Sequence, residues 1–231
     1  MEYNNKNEFF EQWRKQFNIE IFCKDGIMCE EKYGANGTPK ILFVLKDVHV
    51  DDNWRKSNPN EPFLSMTEAI TEDGEGKTWN PIAVWAMGLL SDAEIYDYNL
   101  NPTLLRKEFL PKIAFINIKK EAGKASVSDE SILKYADEQK EFIAQQIQEI
   151  NPDLIVACSD VVYQALVINI FPQNTKGSKM IFENLPEKYG EVAHVDLIDK
   201  KVPIVHYRHP SRSGAYVDRY RDMRTIKREF L

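Results

Sequence analysis

Three side chains that could act on a substrate stand at the ends of apolar runs in this 231-residue sequence. Asp47 and His209 each come two residues after such a run, and Asn117 lies near the end of a third. In an open parallel sheet, ligands bind in the crevice outside the carboxyl ends of the strands. A carboxylate, a carboxamide and an imidazole meeting there would suit hydrolysis, or recognition of a flat polar heterocycle. Each group alone also fits a structural role, such as a helix cap or a satisfied strand end.

The apolar runs predict the elements that must position these groups. Continuous apolar segments of four to seven residues are typical of buried parallel strands, and they cover residues 40–45, 112–118, 154–157 and 202–207. Helical patterns lie between them, at residues 80–90, 129–150 and 160–170. Strands alternating with helices predict an α/β three-layer sandwich, in which a central, mostly parallel four-stranded sheet carries helices on both faces.

The domain organisation follows from the same pattern. We predict one domain over residues 1–231, with residues 1–39 forming a helical extension packed on it. Phe9, Phe10, Trp13 and Phe17 recur at helical spacing and would form its docking face. Residues 55–77 are polar and contain prolines and glycines, which predicts a long surface loop.

Composition limits the class of protein. The chain is 43% hydrophobic and 29% charged, and it contains neither an apolar stretch of membrane-spanning length nor a signal-like N-terminus. Its three cysteines, at positions 23, 29 and 158, fit no disulfide framework and no zinc or iron–sulfur ligand spacing. We therefore expect a cytoplasmic monomer with free thiols, without a membrane partner, bound metal or cofactor.

Charge is unevenly distributed. The net charge is −6, but residues 206–231 hold seven Lys or Arg against three acids, a local charge of +4 that leaves −10 elsewhere. A basic face around His209 on an acidic body would steer a polyanion such as DNA to one place. The alternative is a terminal helix whose charged face is simply solvated.

Four segments taken together resemble the uracil-DNA glycosylase superfamily, over about residues 40–214. They are Ile41–Asp47, Phe115–Asn117, Asn151–Ala157 and His209-Pro210-Ser211, of which the His-Pro-Ser turn is the most specific. The resemblance implies a DNA glycosylase with its site at the strand ends. Asp47 would then position water or stabilise the sugar cation, Asn117 would bind the base edge, and His209 would hydrogen-bond the departing base.

The resemblance also implies that the target base leaves the duplex stack, which requires an aromatic platform and a wedge. We assign Trp54 or Phe63 as the platform. Arg212 or Tyr216, after the His-Pro-Ser turn, would be the wedge. Further DNA contacts are expected from Lys46, Ser211, Ser213 and Arg219.

The chain departs from the family around its first acid. The usual Gly and Pro are replaced by Leu45-Lys46-Asp47-Val48-His49. Uracil-specific members keep a bulky aromatic residue here that excludes a 5-methyl group, whereas this chain has His49. We therefore predict that uracil or a 5-substituted pyrimidine is removed from DNA, in repair or in defence against phage with modified DNA.

Two other classes remain open. One is a metal-dependent hydrolase, because Asp and His side chains are ligands that suit Mn or Zn. Its candidate ligands are Asp47, His49, Asp51, Asp52, His206 and His209. Against it, His206 and His209 are three residues apart on a strand and would face opposite sides. The other alternative is a catalytically silent, glycosylase-like module that binds nucleic acid or a protein.

Overall fold

The computed structural model describes residues 6–48, 52–67, 78–93, 96–97, 99–123, 127–172, 178–179, 190–212 and 214–231. The strands are β1 Phe22–Lys24, β2 Gly26–Ile27, β3 Ile41–Leu45, β4 Phe63–Ser65, β5 Ala114–Asn117, β6 Leu154–Cys158, β7 Ser178–Lys179, β8 Glu191–Leu197 and β9 Lys200–Tyr207. The helices are α1 Lys6–Gln16, α2 Asp52–Ser57, α3 Trp79–Leu90, α4 Pro102–Phe109, α5 Asp129–Glu138, α6 Lys140–Ile150, α7 Asp160–Gln164, continued by a π-helix at Ala165–Ile170, and α8 Tyr216–Phe230. Short 3₁₀ turns occupy Ala35–Gly37 and Leu110–Lys112.

The main sheet has the strand order β2-β5-β3-β6-β9-β8-β7. Its four central neighbours, β5, β3, β6 and β9, are parallel to one another. Strands β2, β8 and β7 extend it with antiparallel pairings at the two edges. This confirms the predicted mostly parallel four-stranded centre, while β1 and β4 form a separate two-stranded sheet.

Both faces of the sheet are covered by helices. Leu42 and Val44 of β3 pack in one core with residues of α1, α5, α6 and α7. Ile41 and Phe43 face the other core, with residues of α3, α4 and α8. Every residue of β3 is therefore buried, which explains its unbroken apolar sequence. The three layers agree with the predicted sandwich.

The N-terminal helix α1 contributes aromatic side chains to the first of these cores. Phe9 and Trp13 are almost fully buried, and the Trp13 ring stacks on Phe142 of α6 at 5.3 Å between centroids. The Trp13 indole N–H also donates to the side chain of Gln139. In the described part of the chain, no helix is both long and apolar enough to cross a membrane.

Two stretches differ from the predicted pattern. The helix predicted over residues 129–150 is divided at Gln139, whose backbone leaves the helical region and whose buried side chain accepts from Trp13. Asn151 ends α6 in the left-handed conformation, as an Asn-Pro stop favours. Residues 191–197 lie outside the predicted strands and helices, yet they form β8, which makes a hairpin with β9 through the pair Leu197 and Lys200.

Candidate active site

The carboxyl edge of the parallel strands brings distant residues into one row. Val44 of β3 pairs with Ala157 of β6, which pairs with His206 of β9. Three positions beyond this row stand Asp47, Asp160 and His209. Because neighbouring strands lie about 4.8 Å apart, Asp47 and His209 follow strands that are roughly 10 Å apart. Asp160, the first residue of α7, follows the strand between them.

The His-Pro-Ser turn fixes the chemical form of His209. The backbone N–H of Ser211 donates to Nδ1 of His209 at 3.2 Å, and the Ser211 hydroxyl lies 2.7 Å from the same nitrogen. A backbone N–H can only donate, so Nδ1 must carry a lone pair. The hydrogen of the neutral ring is therefore on Nε2, where it can be donated to another molecule.

The surroundings of His209 favour that neutral form. Burial lowers the pKa of this imidazole below its ordinary value of 6.5, and the positive charges of Lys46 and Arg212 act in the same direction. Asp47 opposes them, because its negative charge raises the pKa of the ring. The joint action of Asp47 and His209 on one substrate stays a prediction.

The loop that carries His209 is held by α8. Arg219 is 3% exposed, and its guanidinium donates to the carbonyl oxygens of Pro210, at 3.3 Å, and Arg212. We predicted a phosphate contact for Arg219, and this is wrong: the buried side chain supports the loop from within. Ser211 and Arg212 are exposed on the outer side of the same loop, where a ligand can reach them.

Most of the basic C-terminal segment also has internal partners. Arg224 and Lys227 donate to the carbonyl oxygen of Ser91 at 2.6 and 2.8 Å, and so hold the turn that follows α3. Arg208 lies 3.8 Å from Asp222, which accepts from the Tyr207 hydroxyl at 2.5 Å. The excess of positive charge in the sequence therefore overstates the basic surface available to a polyanion.

Lys46 has a structural partner as well. Its ammonium donates to the carbonyl oxygen of Val127 at 2.7 Å and lies 2.8 Å from Asp129 at the start of α5. These contacts connect the end of β3 to a helix on one face of the sheet. The predicted DNA contact of Lys46 stays a prediction, and its charge acts on His209.

Asn117 lies at the end of β5, beside Leu45 of β3, and is 2% exposed. Its side-chain Nδ2 and its backbone N–H both donate to Oδ2 of Asp25, at 3.0 and 2.8 Å. Asp25 also pairs with Lys120, and both of these side chains are fully buried. None of the residues predicted from the sequence as functional is Asp25, so this buried group was missed. The sequence feature that could have indicated this group is Lys120, the second lysine directly after a buried strand.

The two residues predicted as the aromatic platform, Trp54 and Phe63, line an open cavity of about 810 Å³ beside β2. The described residues that line this cavity include neither Asp47 nor His209. The Phe63 ring is covered by the Lys24 ammonium at 3.9 Å from its centroid and packs edge-on against Phe22. Trp54 also packs against the cluster that contains Val48, the residue directly after Asp47. The assignment of either aromatic residue as the platform therefore stays a prediction.

The remaining predicted contacts divide in two. Tyr216 is half-buried at the start of α8, packs on the core beside that helix, and lies under the Arg219 guanidinium. It is poorly placed as a wedge, so Arg212 remains the candidate. His49 and Ser213 lie outside the described residues.

A second histidine lies beneath the row of strand ends. His206 is 4% exposed, stacks on Tyr163 at 4.9 Å between centroids, and has its Nε2 2.9 Å from Oδ1 of Asp160. Asp160, predicted only as the start of a helix, thus lies close to the buried imidazole of His206. Among the residues that the structure describes, no three His, Cys, Asp or Glu side chains form a group that could hold a metal ion.

No protein-family model matches the chain, and no curated protein matches it.

Proposed function

We propose that this protein is a DNA glycosylase that hydrolyses the N-glycosidic bond of uracil, or of a 5-substituted pyrimidine, flipped out of DNA. The observation that supports this most is the Ser211 N–H bond to Nδ1 of His209. It leaves a neutral imidazole with its Nε2 hydrogen at the strand ends, within electrostatic reach of Asp47. The resemblance of the strand-end segments to the uracil-DNA glycosylase superfamily points to the same reaction.

The chemistry needs these two groups in these forms. As the bond breaks, the sugar becomes cation-like and the pyrimidine leaves as an anion. The Nε2 hydrogen of His209 would be donated to the base carbonyl oxygen on which negative charge develops, and a preorganised donor of this kind is worth roughly 3–4 kcal/mol. The Asp47 carboxylate would stabilise the sugar cation and orient the water that attacks it.

DNA binding would use the outer side of the His209 loop. Ser211 and Arg212 are exposed there, and Arg219 holds the loop from inside through two backbone carbonyls. An exposed guanidinium beside the site can contact a phosphate or enter the duplex where the base has left. The net charge of −6 would keep other parts of the surface from competing for DNA.

Such an enzyme would need no cofactor or metal and would act as a cytoplasmic monomer. Removing uracil would serve DNA repair. Removing a 5-substituted pyrimidine would serve defence against phage with modified DNA. The two roles differ in what the site must accept at the 5-position of the base.

Base release from defined DNA tests the proposal. Single- and double-stranded oligonucleotides would each carry one uracil, thymine, 5-hydroxymethyluracil, cytosine or 5-hydroxymethylcytosine. The expected result is free base and an alkali-sensitive abasic site with at least one of them, and no release by Asp47→Asn. DNA binding without release would favour the silent module. Cleavage that requires added Mn or Zn would favour the metal-dependent hydrolase.

A further inference from the structure

Asp25 is a buried carboxylate that lies outside the region of family resemblance and contacts the proposed base-binding residue. It connects β1, in the small sheet, to β2, at the edge of the main sheet. Gly26 follows it with φ 144°, a conformation that side chains other than glycine rarely adopt. The turn places the Asp25 side chain against the carboxyl end of β5, where it is 5% exposed.

The contacts of Asp25 fix the orientation of the Asn117 amide. A carboxylate paired with an ammonium offers only acceptors, so the Asn117 group 3.0 Å from Oδ2 must be the NH₂. Turning the amide over would set its oxygen against the carboxylate. The bond from the Asn117 backbone N–H, at 2.8 Å, holds that carboxylate oxygen in place.

The rest of the cluster prevents Asp25 from moving away. Its Oδ1 pairs with the Lys120 ammonium and accepts from Nε2 of Gln146 at 3.1 Å. The same Gln146 nitrogen also donates to the Asp25 backbone oxygen at 3.0 Å. Asn117 is thus left with one amide orientation, in which the contacts with Asp25 use neither Oδ1 nor the second Nδ2 hydrogen.

We propose that Asp25 is a positioning residue that selects the hydrogen-bonding edge of the base, an inference that rests on the proposed function. The fixed amide fits a pyrimidine with an imide edge, because Oδ1 accepts from N3–H and Nδ2 donates to the C4 carbonyl. Cytosine carries an acceptor at N3 and an amino group at C4, and so requires the reverse orientation. The selected class is therefore uracil-type bases, whatever stands at their 5-position.

A purely structural ion pair would leave base preference unchanged, and this separates the two roles. The variant Asp25→Ala with Lys120→Met removes both buried charges. It also removes the acceptor that holds Nδ2 of Asn117, so the amide can turn. Gln146→Met is the matched control, because it removes a neighbour of Asp25 and keeps the contact between Asp25 and Asn117. Asp25→Ala alone is a second test variant if the paired substitution prevents folding.

The measurement is binding to DNA that carries a 2′-fluoro uracil or 2′-fluoro cytosine nucleotide, whose glycosidic bond resists cleavage. A bidentate contact discriminates between bases by about 10-fold or more. We expect the wild type and Gln146→Met to prefer uracil to that extent, and the Asp25 variants to bind both bases within about 2-fold of each other. A wild type without preference, or Asp25 variants that keep it, would overturn the inference.

Excision, measured in parallel on cleavable DNA, distinguishes this inference from the proposed function. If the wild type prefers uracil in binding but releases no base, the glycosylase proposal fails and the role of Asp25 stands. If the wild type releases both uracil and cytosine at equal rates, the glycosylase proposal stands and the role of Asp25 is refuted.

Discussion

The buried pair of Asp25 and Lys120 gives a stability prediction that can be worked out from its contacts. Both side chains are fully buried, and Asp25 keeps bonds from Asn117 and Gln146 when the ammonium is removed. Removing one partner of a buried ion pair costs about 3–5 kcal/mol, and the retained donors favour the lower end. We therefore expect Lys120→Met to lower the free energy of unfolding by about 3 kcal/mol.

A paired variant, Asp25→Asn with Lys120→Met, should recover most of that loss. It leaves no buried charge, and its remaining cost is about 1 kcal/mol for each weakened hydrogen bond. Urea unfolding followed by tryptophan fluorescence would measure both variants, since the Lys120 ammonium lies 5.3 Å from the centre of the Trp13 ring. Lys134→Met is the control, because its pair with Glu138 is largely exposed and should be worth less than about 1 kcal/mol.

If Lys120→Met lowers the free energy of unfolding by less than about 1 kcal/mol, the reasoning is refuted, because removing the counter-ion of a fully buried carboxylate should cost more than that. A paired variant as unstable as the sum of the two single variants would refute it too. Two substitutions in direct contact should be non-additive if their charges depend on each other.

Three further predictions concern the site. The pKa of His209 should lie below 6.5, so the unfolded chain takes up the proton first and stability falls as pH drops from 6.5 to the folded pKa. In an NMR titration, Asp47→Asn should lower the pKa of His209 further and Arg212→Gln should raise it. An unchanged pKa in both variants would show that these charges do not act on the ring. Arg212→Gln should reduce the slope of log affinity for DNA against log salt by about one unit. Arg219→Gln should instead destabilise the fold, by about 1–3 kcal/mol. Equal changes of the salt slope in the two variants would contradict the assignment of Arg212 to DNA contact and of Arg219 to support of the loop. In competitive excision from DNA with uracil and 5-substituted pyrimidines, the wild type should remove the substituted base at least as well as uracil, and His49→Tyr should shift the preference toward uracil. If the wild type and His49→Tyr both remove uracil alone, the role of His49 is contradicted.

The sheet and the residues at its strand ends were predictable because their signal is local. Unbroken apolar runs such as Ile41–Leu45 indicate burial on both faces, which a central parallel strand provides. Once these strands are parallel neighbours, Asp47 and His209 must stand at one edge. The hairpin of β8 with β9 was harder to predict, because β8 follows a segment without clear periodicity.

The partners of charged residues could not be predicted, because they depend on contacts between distant parts of the chain. Asp25 meets Asn117 and Lys120 across 92 and 95 residues of sequence. The positive charges of Lys46 and Arg219 suggested DNA contacts, yet both side chains have partners within the fold. A sequence gives the number of charges in a segment and leaves open which of them face solvent.

The measurement that tests the central claim most directly is the single-turnover rate of base release by wild type, Asp47→Asn and His209→Ala. The substrate would be the DNA on which the wild type is most active, and circular dichroism would verify that each variant is folded. Losing one such group should slow excision at least about 100-fold in each variant. Near-normal excision by folded His209→Ala would contradict the assignment of the neutral imidazole as the donor to the departing base.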